Sequence, residues 1–220
     1  MKNKLIVIEG TDGSGKKTQA DLLLKYLQSK GKNVIGQSFP NYENPACAGV
    51  KMYLNGDFGD ANSLTAYQAN ALYAVDRLCT MEKHKKHIAD GGCIIFDRYV
   101  QSTMLHQAGL IPDLAERDKF LEYVDNFEFN ILKLPRPDVV IFLDIPVEFS
   151  KKLADARAAY KSGNEKDIYE ADVNHLKNAY NAGKYVAEKY GWLIIQCLDE
   201  NGKLKSIEQI HNEIVRALEI

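Results

Sequence analysis

Gly10-Thr11-Asp12-Gly13-Ser14-Gly15-Lys16 fits the pattern G-x-x-x-x-G-K. Glycines let a backbone fold back and point successive N–H groups inward. If a helix starts there, its N-terminus adds partial positive charge, and Lys16 adds a full one. The product is a cradle for nucleotide phosphates built from Gly10 to Lys16. The pattern has the context it needs, because the apolar run Leu5–Glu9 precedes it and a helical period follows. The residue after the lysine normally offers a hydroxyl to Mg²⁺, but here it is Lys17, with Thr18 one place later. Lysine has no acceptor oxygen. Either the metal is held through water and carboxylates, or Lys17 adds charge near the phosphates, or Lys17 points to solvent.

A second chemical group stands at Asp97-Arg98-Tyr99, which ends the apolar run Cys93–Phe96. In an open parallel sheet the carboxyl ends of strands face the ligand crevice. Asp97 is placed there to hold Mg²⁺, directly or through water. Arg98 is placed to clamp an anionic oxygen with its planar fork of donors.

The elements that must position these groups follow from hydrophobic patterning. Five short runs, Leu5–Glu9, Asn33–Phe39, Cys93–Phe96, Val139–Leu143 and Leu193–Cys197, punctuate the sequence, and most are near-continuously apolar, as strands covered on both faces are. Between them lie helical segments. Ala20, Leu23, Leu24 and Leu27 repeat with helical spacing, and Gly31 offers a stop. Asn62–Ala89, Asp113–Leu132, Val147–Tyr160, Asp172–Tyr190 and Ser206–Leu218 complete the set, the second of them closed by Pro135-Arg136-Pro137. Alternating strands and helices predict an α/β fold: a five-stranded parallel sheet with helices on both faces, in three layers. The polar stretch Lys161–Asp172 reads as a mobile surface loop.

At 220 residues the chain is expected to be a single domain over 1–220 with its own core. Its 28 basic and 30 acidic residues nearly balance, which argues against a general nucleic-acid or membrane-surface binder. No apolar run approaches the ~18 residues of a membrane span. Cys47, Cys79, Cys93 and Cys197 form no C-x-x-C pair, so neither a disulfide framework nor a zinc site is expected and the default compartment is the cytoplasm.

Taken together, the motifs resemble those of the thymidylate kinases, P-loop nucleoside monophosphate kinases. Glu9 to Gln19 is similar to the family's first motif, Phe39-Pro40 to its second-strand motif, and Leu72 to Arg77 to its aromatic-x-x-x-Arg helix. Asp97-Arg98-Tyr99-Val100-Gln101-Ser102 resembles the D-R-Y-x-x-S signature, and Leu143 to Pro146 the strand entering the lid. The likeness covers the first three-quarters of the chain well and the last quarter only by pattern. It implies a P-loop NTPase-type sheet with a lid at about 150–172, transfer of the ATP γ-phosphoryl to dTMP, Mg²⁺ as cofactor, and a homodimer.

It also implies roles residue by residue. Gly10 to Thr18 would bind ATP, with Lys16 catalytic. Asp12 would accept a hydrogen bond from the acceptor's 3′-hydroxyl. Tyr73 would stack the thymine and Arg77 hydrogen-bond it; the two are four apart and share a helix face. Phe39, Ser102, Thr103 and Gln107 would line the acceptor site, Arg98 would grip its phosphate, and Asp97 and Glu9 would serve the metal's outer shell. Three positions depart from the family. Tyr42 follows Asn41 where many members carry an arginine. His106 stands where a larger Tyr or Phe excludes a ribose 2′-hydroxyl, so discrimination against ribonucleotides is expected to relax. Gly13 stands where some members carry a mobile arginine, so the lid must supply it. Lys151, Lys152, Arg157, Lys161 and Lys166 lie in or near the lid, and Arg157 is favoured because a guanidinium bridges two phosphates. Two other readings share these residues: a deoxynucleoside kinase, which phosphorylates a neutral hydroxyl, and a non-catalytic nucleotide-binding paralogue, for which Lys17 is the motive.

Overall fold

A computed structural model describes residues 5–60, 63–160 and 173–220, with side chains described outside 157–160 and 173. Five strands form one sheet: β1 (Leu5–Glu9), β2 (Val34–Ser38), β3 (Cys93–Asp97), β4 (Val139–Asp144) and β5 (Leu193–Gln196). All pairings are parallel, in the order β2-β3-β1-β4-β5. Chain order reverses at β1, which pairs with β3 on one side and β4 on the other. In such a sheet the crevice at the strand tips beside the reversal is where ligands bind. Both the glycine-rich loop and Asp97-Arg98 sit at those tips.

Helices α1 (Lys16–Ser29) and α8 (Ile207–Ala217) cover one face. Their Leu23, Leu27, Ile210 and Ile214 meet Ile6, Ile8, Ile95 and Ile141. The other face carries α3 (Ala66–Ala89), α4 (Val100–His106), α5 (Leu114–Asp125) and α7 (Val173–Lys189), packed on Leu5, Val7, Ile94, Phe96 and Val140. Alternate residues of β1 thus enter opposite layers, which explains why no polar alternation marks this strand.

The helix starts are set by local chemistry. Thr65 and Gln68 form a capping box, so α3 begins at Ala66 and not at the expected Asn62; residues 61–62 lie outside the described residues. Ser206 and Gln209 do the same for α8. The helix expected over Asp113–Leu132 is present, but its final part, Asn126–Ile131, is a π-helix. That wider winding turns Glu128 and Phe129 inward, and Glu128 is fully buried. The patterning missed two short helices, α2 (Ala48–Leu54) and α4. Helix α2 and the turn before it have their own apolar cluster of Cys47, Val50, Tyr53, Leu54 and Ala69. Helix α6 (Val147–Tyr160) opens the expected lid, and Lys161–Asp172 lies outside the described residues.

Candidate active site at the strand tips

The glycine-rich loop leaves β1 at Gly10 and enters α1 through Gly15, whose φ of +87° only glycine adopts cheaply. Gly13 is constrained twice. Its φ is +79°, and a Cβ built on it would lie 2.0 Å from the Ser150 carbonyl oxygen of α6. The first turn of α6 therefore rests on the loop, leaving no room for a side chain at Gly13. Lys16 is buried and donates from Nζ to the Thr11 carbonyl at 2.6 Å. Burial, with Arg98 nearby, pulls its pKa down to about 8 against the opposing pull of Asp12, Asp97 and Glu9. The Thr11 and Ser14 hydroxyls are buried with no hydrogen-bond partner among the described residues. Unsatisfied donors lining a glycine loop suit the oxygen-rich surface of a phosphate chain.

Lys17 does not join this cradle. It is exposed and pairs with Asp21 one helical turn on, at 2.6 and 2.7 Å. Both line a separate cleft of about 260 Å³ beside β2 and β3, with Gln37, Ser38 and Asp97. Of the three expectations for Lys17, the solvent-facing one describes its position. Thr18 is exposed on the same first turn of α1.

The β3 tip turns sharply. Arg98 has φ +68°, a strained conformation for a non-glycine residue, and its N–H donates to the Ile8 carbonyl at 3.2 Å. The turn sends Tyr99 into the core, stacked on Phe96 at 4.5 Å, and sends the Arg98 side chain toward the loop. There its Nη2 pairs with Asp12, and Nη1 donates to Ser102 Oγ at 3.3 Å and His106 Nε2 at 2.9 Å. Arg98 and Lys16 hold the Asp12 carboxyl far below its usual range despite the opposing effect of burial. The two sequence motifs, 86 residues apart, thus meet in one ion pair.

Glu9 is fully buried behind this pair. Its carboxylate accepts from Ser102 Oγ at 2.8 and 3.0 Å and from Tyr99 N–H at 3.1 Å. Burial raises its pKa, with Arg98 and Lys16 pulling the other way. Its contacts make Glu9 an anchor for the β3–α4 turn. Asp97 is half-buried and accepts from Ser38 Oγ at 3.3 Å through one oxygen. A single accessible carboxylate fits Mg²⁺, which binds one or two protein carboxylates and otherwise phosphates and water. Among the described residues no cluster of three or more His, Cys, Asp or Glu side chains could cage a metal by itself.

Where the resemblance places the acceptor, Tyr73 of α3 is partly buried, edge-on to Tyr53 of α2 at 6.4 Å. Arg77, one turn along, is buried and forms a bidentate pair with Glu128, both contacts 2.6 Å. Its Nη2 also donates to Asn70 Oδ1 at 3.3 Å and Thr103 Oγ1 at 3.1 Å. Thr103 is buried against Arg77, and Ser102 bridges Glu9 and Arg98. Gln107 is buried, its Oε1 without a partner among the described residues. Phe39 lies in the core against Phe96 and Tyr99, before a cis peptide to Pro40, while Tyr42 is half-exposed. His106 packs against His175 of α7.

Lys151 and Lys152 are exposed on α6. Arg157 lies on the same helix with its side chain outside the described residues, where Lys161 and Lys166 also fall. A larger cavity, about 400 Å³ beside Gln101, Phe129 and Trp192, opens at the opposite ends of β4 and β5, away from all these groups.

Sequence reasoning missed Glu128, Asn70 and His175. Glu128 left one trace, an acid flanked by Phe127 and Phe129 inside a helix. His175 heads a buried stripe with Ala179, Ala182 and Val186, at helical spacing.

A family model described as thymidylate kinase matches residues 8–214. The thymidylate kinase of Mycobacterium tuberculosis is 30% identical over 210 residues, covering 91% of this chain and 94% of that protein. That of Plasmodium falciparum is 30% identical over 215 residues, covering 98% and 89%. A probable thymidylate kinase of Methanococcus aeolicus is 30% identical over 221 residues, covering 98% and 96%.

Proposed function

The chain belongs to the thymidylate kinase family, and on that footing we propose that it transfers the γ-phosphoryl group of ATP to dTMP, giving dTDP and ADP. The observation that carries the reading is the Asp12–Arg98 pair. It joins a phosphate loop on β1 to an anion clamp on the neighbouring β3, so one cleft holds groups for a donor and for an acceptor.

Phosphoryl transfer asks for alignment and charge compensation more than covalent chemistry. The N–H groups at the start of α1 and the Lys16 ammonium bind the donor phosphates. Lys16 leaves the Thr11 carbonyl for them, exchanging a neutral acceptor for an anionic one. Arg98 takes the acceptor phosphate on the fork that Asp12 and Ser102 orient. Asp12, released from that pair, accepts the acceptor's 3′-hydroxyl. Tyr73 stacks the base, and Arg77, fixed by Glu128, faces it beside Thr103. Asp97 is the protein carboxylate that would hold Mg²⁺, which would offset the charge of the donor phosphates. No general base is required, because a phosphate monoester is already anionic near neutral pH, its second pKa being about 6.

Arg157 is the proposed lid guanidinium. The blocked space at Gly13 supports this, since the loop itself has no room for one. Arg157→Ala should lower kcat about 10²-fold, as arginine-finger losses do. A fall below threefold assigns the role to another residue. A homodimer is proposed as well, supported by exposed Tyr67 and Val75 on α3 and Leu114 on α5. So is residence in the cytoplasm, supported by four free cysteines. Among the described residues no helix is long and apolar enough to cross a membrane.

The deciding experiment measures ADP release with dTMP and with thymidine in parallel. Turnover with dTMP alone supports the reading. Turnover with thymidine alone makes the protein a nucleoside kinase, and ATP binding without turnover a non-catalytic paralogue.

A further inference from the structure

Arg98, His106 and His175 form a chain along one wall of the cleft. Arg98 Nη1 lies 2.9 Å from His106 Nε2, and His106 Nδ1 lies 3.3 Å from His175 Nε2. The two imidazole planes differ by 17°, with centroids 5.5 Å apart. His175 belongs to no motif in the sequence and comes from α7, beyond the lid.

The hydrogen positions follow from the chemistry. A guanidinium only donates. His106 Nε2 must therefore accept, and a neutral His106 carries its hydrogen on Nδ1. That hydrogen needs an acceptor, because an unsatisfied buried N–H is costly. His175 Nε2 is the acceptor, so the hydrogen of His175 sits on its own Nδ1, which is buried and makes no hydrogen bond to the described residues. The charged groups acting on His106 are Arg98 from the β3 tip, Asp12 and Lys16 from the loop and helix start, and His175 from α7. Burial and the neighbouring cations hold His106 neutral, well below the ordinary histidine value. A protonated His106 would point an N–H at the Arg98 donor.

We propose that His175 is a positioning residue for the acceptor phosphate: it satisfies the Nδ1–H form of His106, and His106 in turn fixes the Arg98 guanidinium. The idea rests on the reading that Arg98 receives that phosphate. It makes α7 part of the acceptor grip, although no α7 residue belongs to the phosphate loop or to the D-R-Y turn. Helix α7 is held to the sheet farther along its length. Tyr180 donates to Asp144 Oδ1 at 2.6 Å, and Lys184 lies 3.6 Å from the other oxygen, which also accepts from Gln196 at 3.0 Å.

Two measurements test it. The first uses the full chain with natural residues and no substrate: nitrogen-15 imidazole spectra at neutral pH. His106 should carry its hydrogen on Nδ1, the minority form of a free side chain. A hydrogen on Nε2 overturns the proposal, whatever the enzyme phosphorylates. The second is steady-state kinetics. His175→Ala should raise KM for dTMP about fivefold to tenfold, the loss of one hydrogen bond, with KM for ATP and kcat within threefold. His175→Gln, whose Oε1 can accept from His106, should return KM to within about twofold of the natural enzyme. An unchanged KM in His175→Ala, or equal losses for both substrates that Gln does not rescue, overturns the proposal. If His175→Ala does not fold, the His175→Gln kinetics and the spectra still decide. Absence of dTMP turnover in the natural protein is a separate failure, that of the functional reading.

Discussion

Lys16 carries its charge where burial opposes it. With a pKa of about 8, it is mostly protonated at neutral pH and loses its charge as pH rises through that value. kcat/KM reports groups of the free enzyme. kcat/KM for ATP should therefore fall above about pH 8, measured at saturating dTMP, while a flat profile to pH 9.5 would contradict this account of Lys16. Arg77 and Glu128 pose a different question, because each is buried and each satisfies the other. Breaking such a pair strands a charge and costs about 3–5 kcal/mol, whereas replacing both partners with apolar residues is often neutral. Urea denaturation of Glu128→Ala should show that loss, and Arg77→Met with Glu128→Leu should recover most of it. The recovered double variant then isolates the chemistry. If Arg77 also holds the thymine, its KM for dTMP stays at least tenfold raised; a normal KM would leave Arg77 a purely structural role.

Helix α6 and the phosphate loop act as one unit through Gly13. A Cβ there meets a backbone oxygen, which a side-chain rotation cannot relieve. Gly13→Ala should displace α6 or the loop and lower kcat on the order of 10²-fold, since displacements near ~1 Å have that effect in aligned transfer reactions. A stopped or steady-state assay showing less than a threefold change would mean the contact opens during turnover. Such contacts bound what a sequence can reveal. The inner strands were legible because a strand covered on both faces is a continuous apolar run, and β1 matches its expected limits; β2, at the sheet edge, carries Gly36, Gln37 and Ser38 and shows the signal only at its start. The phosphate loop was legible because its glycines are backbone requirements written in residue type. Glu128 was not, because inward rotation depends on π-winding that no periodicity announces. The pairing of His106 with His175 was not, because it depends on how α7 crosses α4. Lys17 shows the reverse: a departure from the motif that looked consequential resolves into a surface pair with Asp21.

The molecule as a whole should respond to acid through its histidines. His84, His106 and His211 all sit below the ordinary value of 6.5, burial being the first cause. As pH falls below 6.5 the unfolded chain binds protons that the folded chain refuses, so stability is full above that pH and declines beneath it. Raised pKa values at Glu9, Asp76 and Glu128 act in the opposite sense, because those folded carboxyls keep protons that the unfolded chain releases. Comparison with His106→Gln removes the shared background. Between pH 6.5 and 5.5 the natural protein should lose about 1 kcal/mol more unfolding free energy than this variant, from the ~1.4 kcal/mol per pH unit of one fully differential group. Parallel curves would contradict burial of a neutral His106. Beyond the sheet and its two helical layers, the small apolar cluster around α2 has a consequence of its own. It sets the ring of Tyr53 against Tyr73, yet none of its buried members comes from a strand. With Tyr73 as the proposed base-stacking ring, a duplicated gene could drift across residues 45–54 and change which nucleobase is welcomed, while the proposed grip on the triphosphate stayed as inherited.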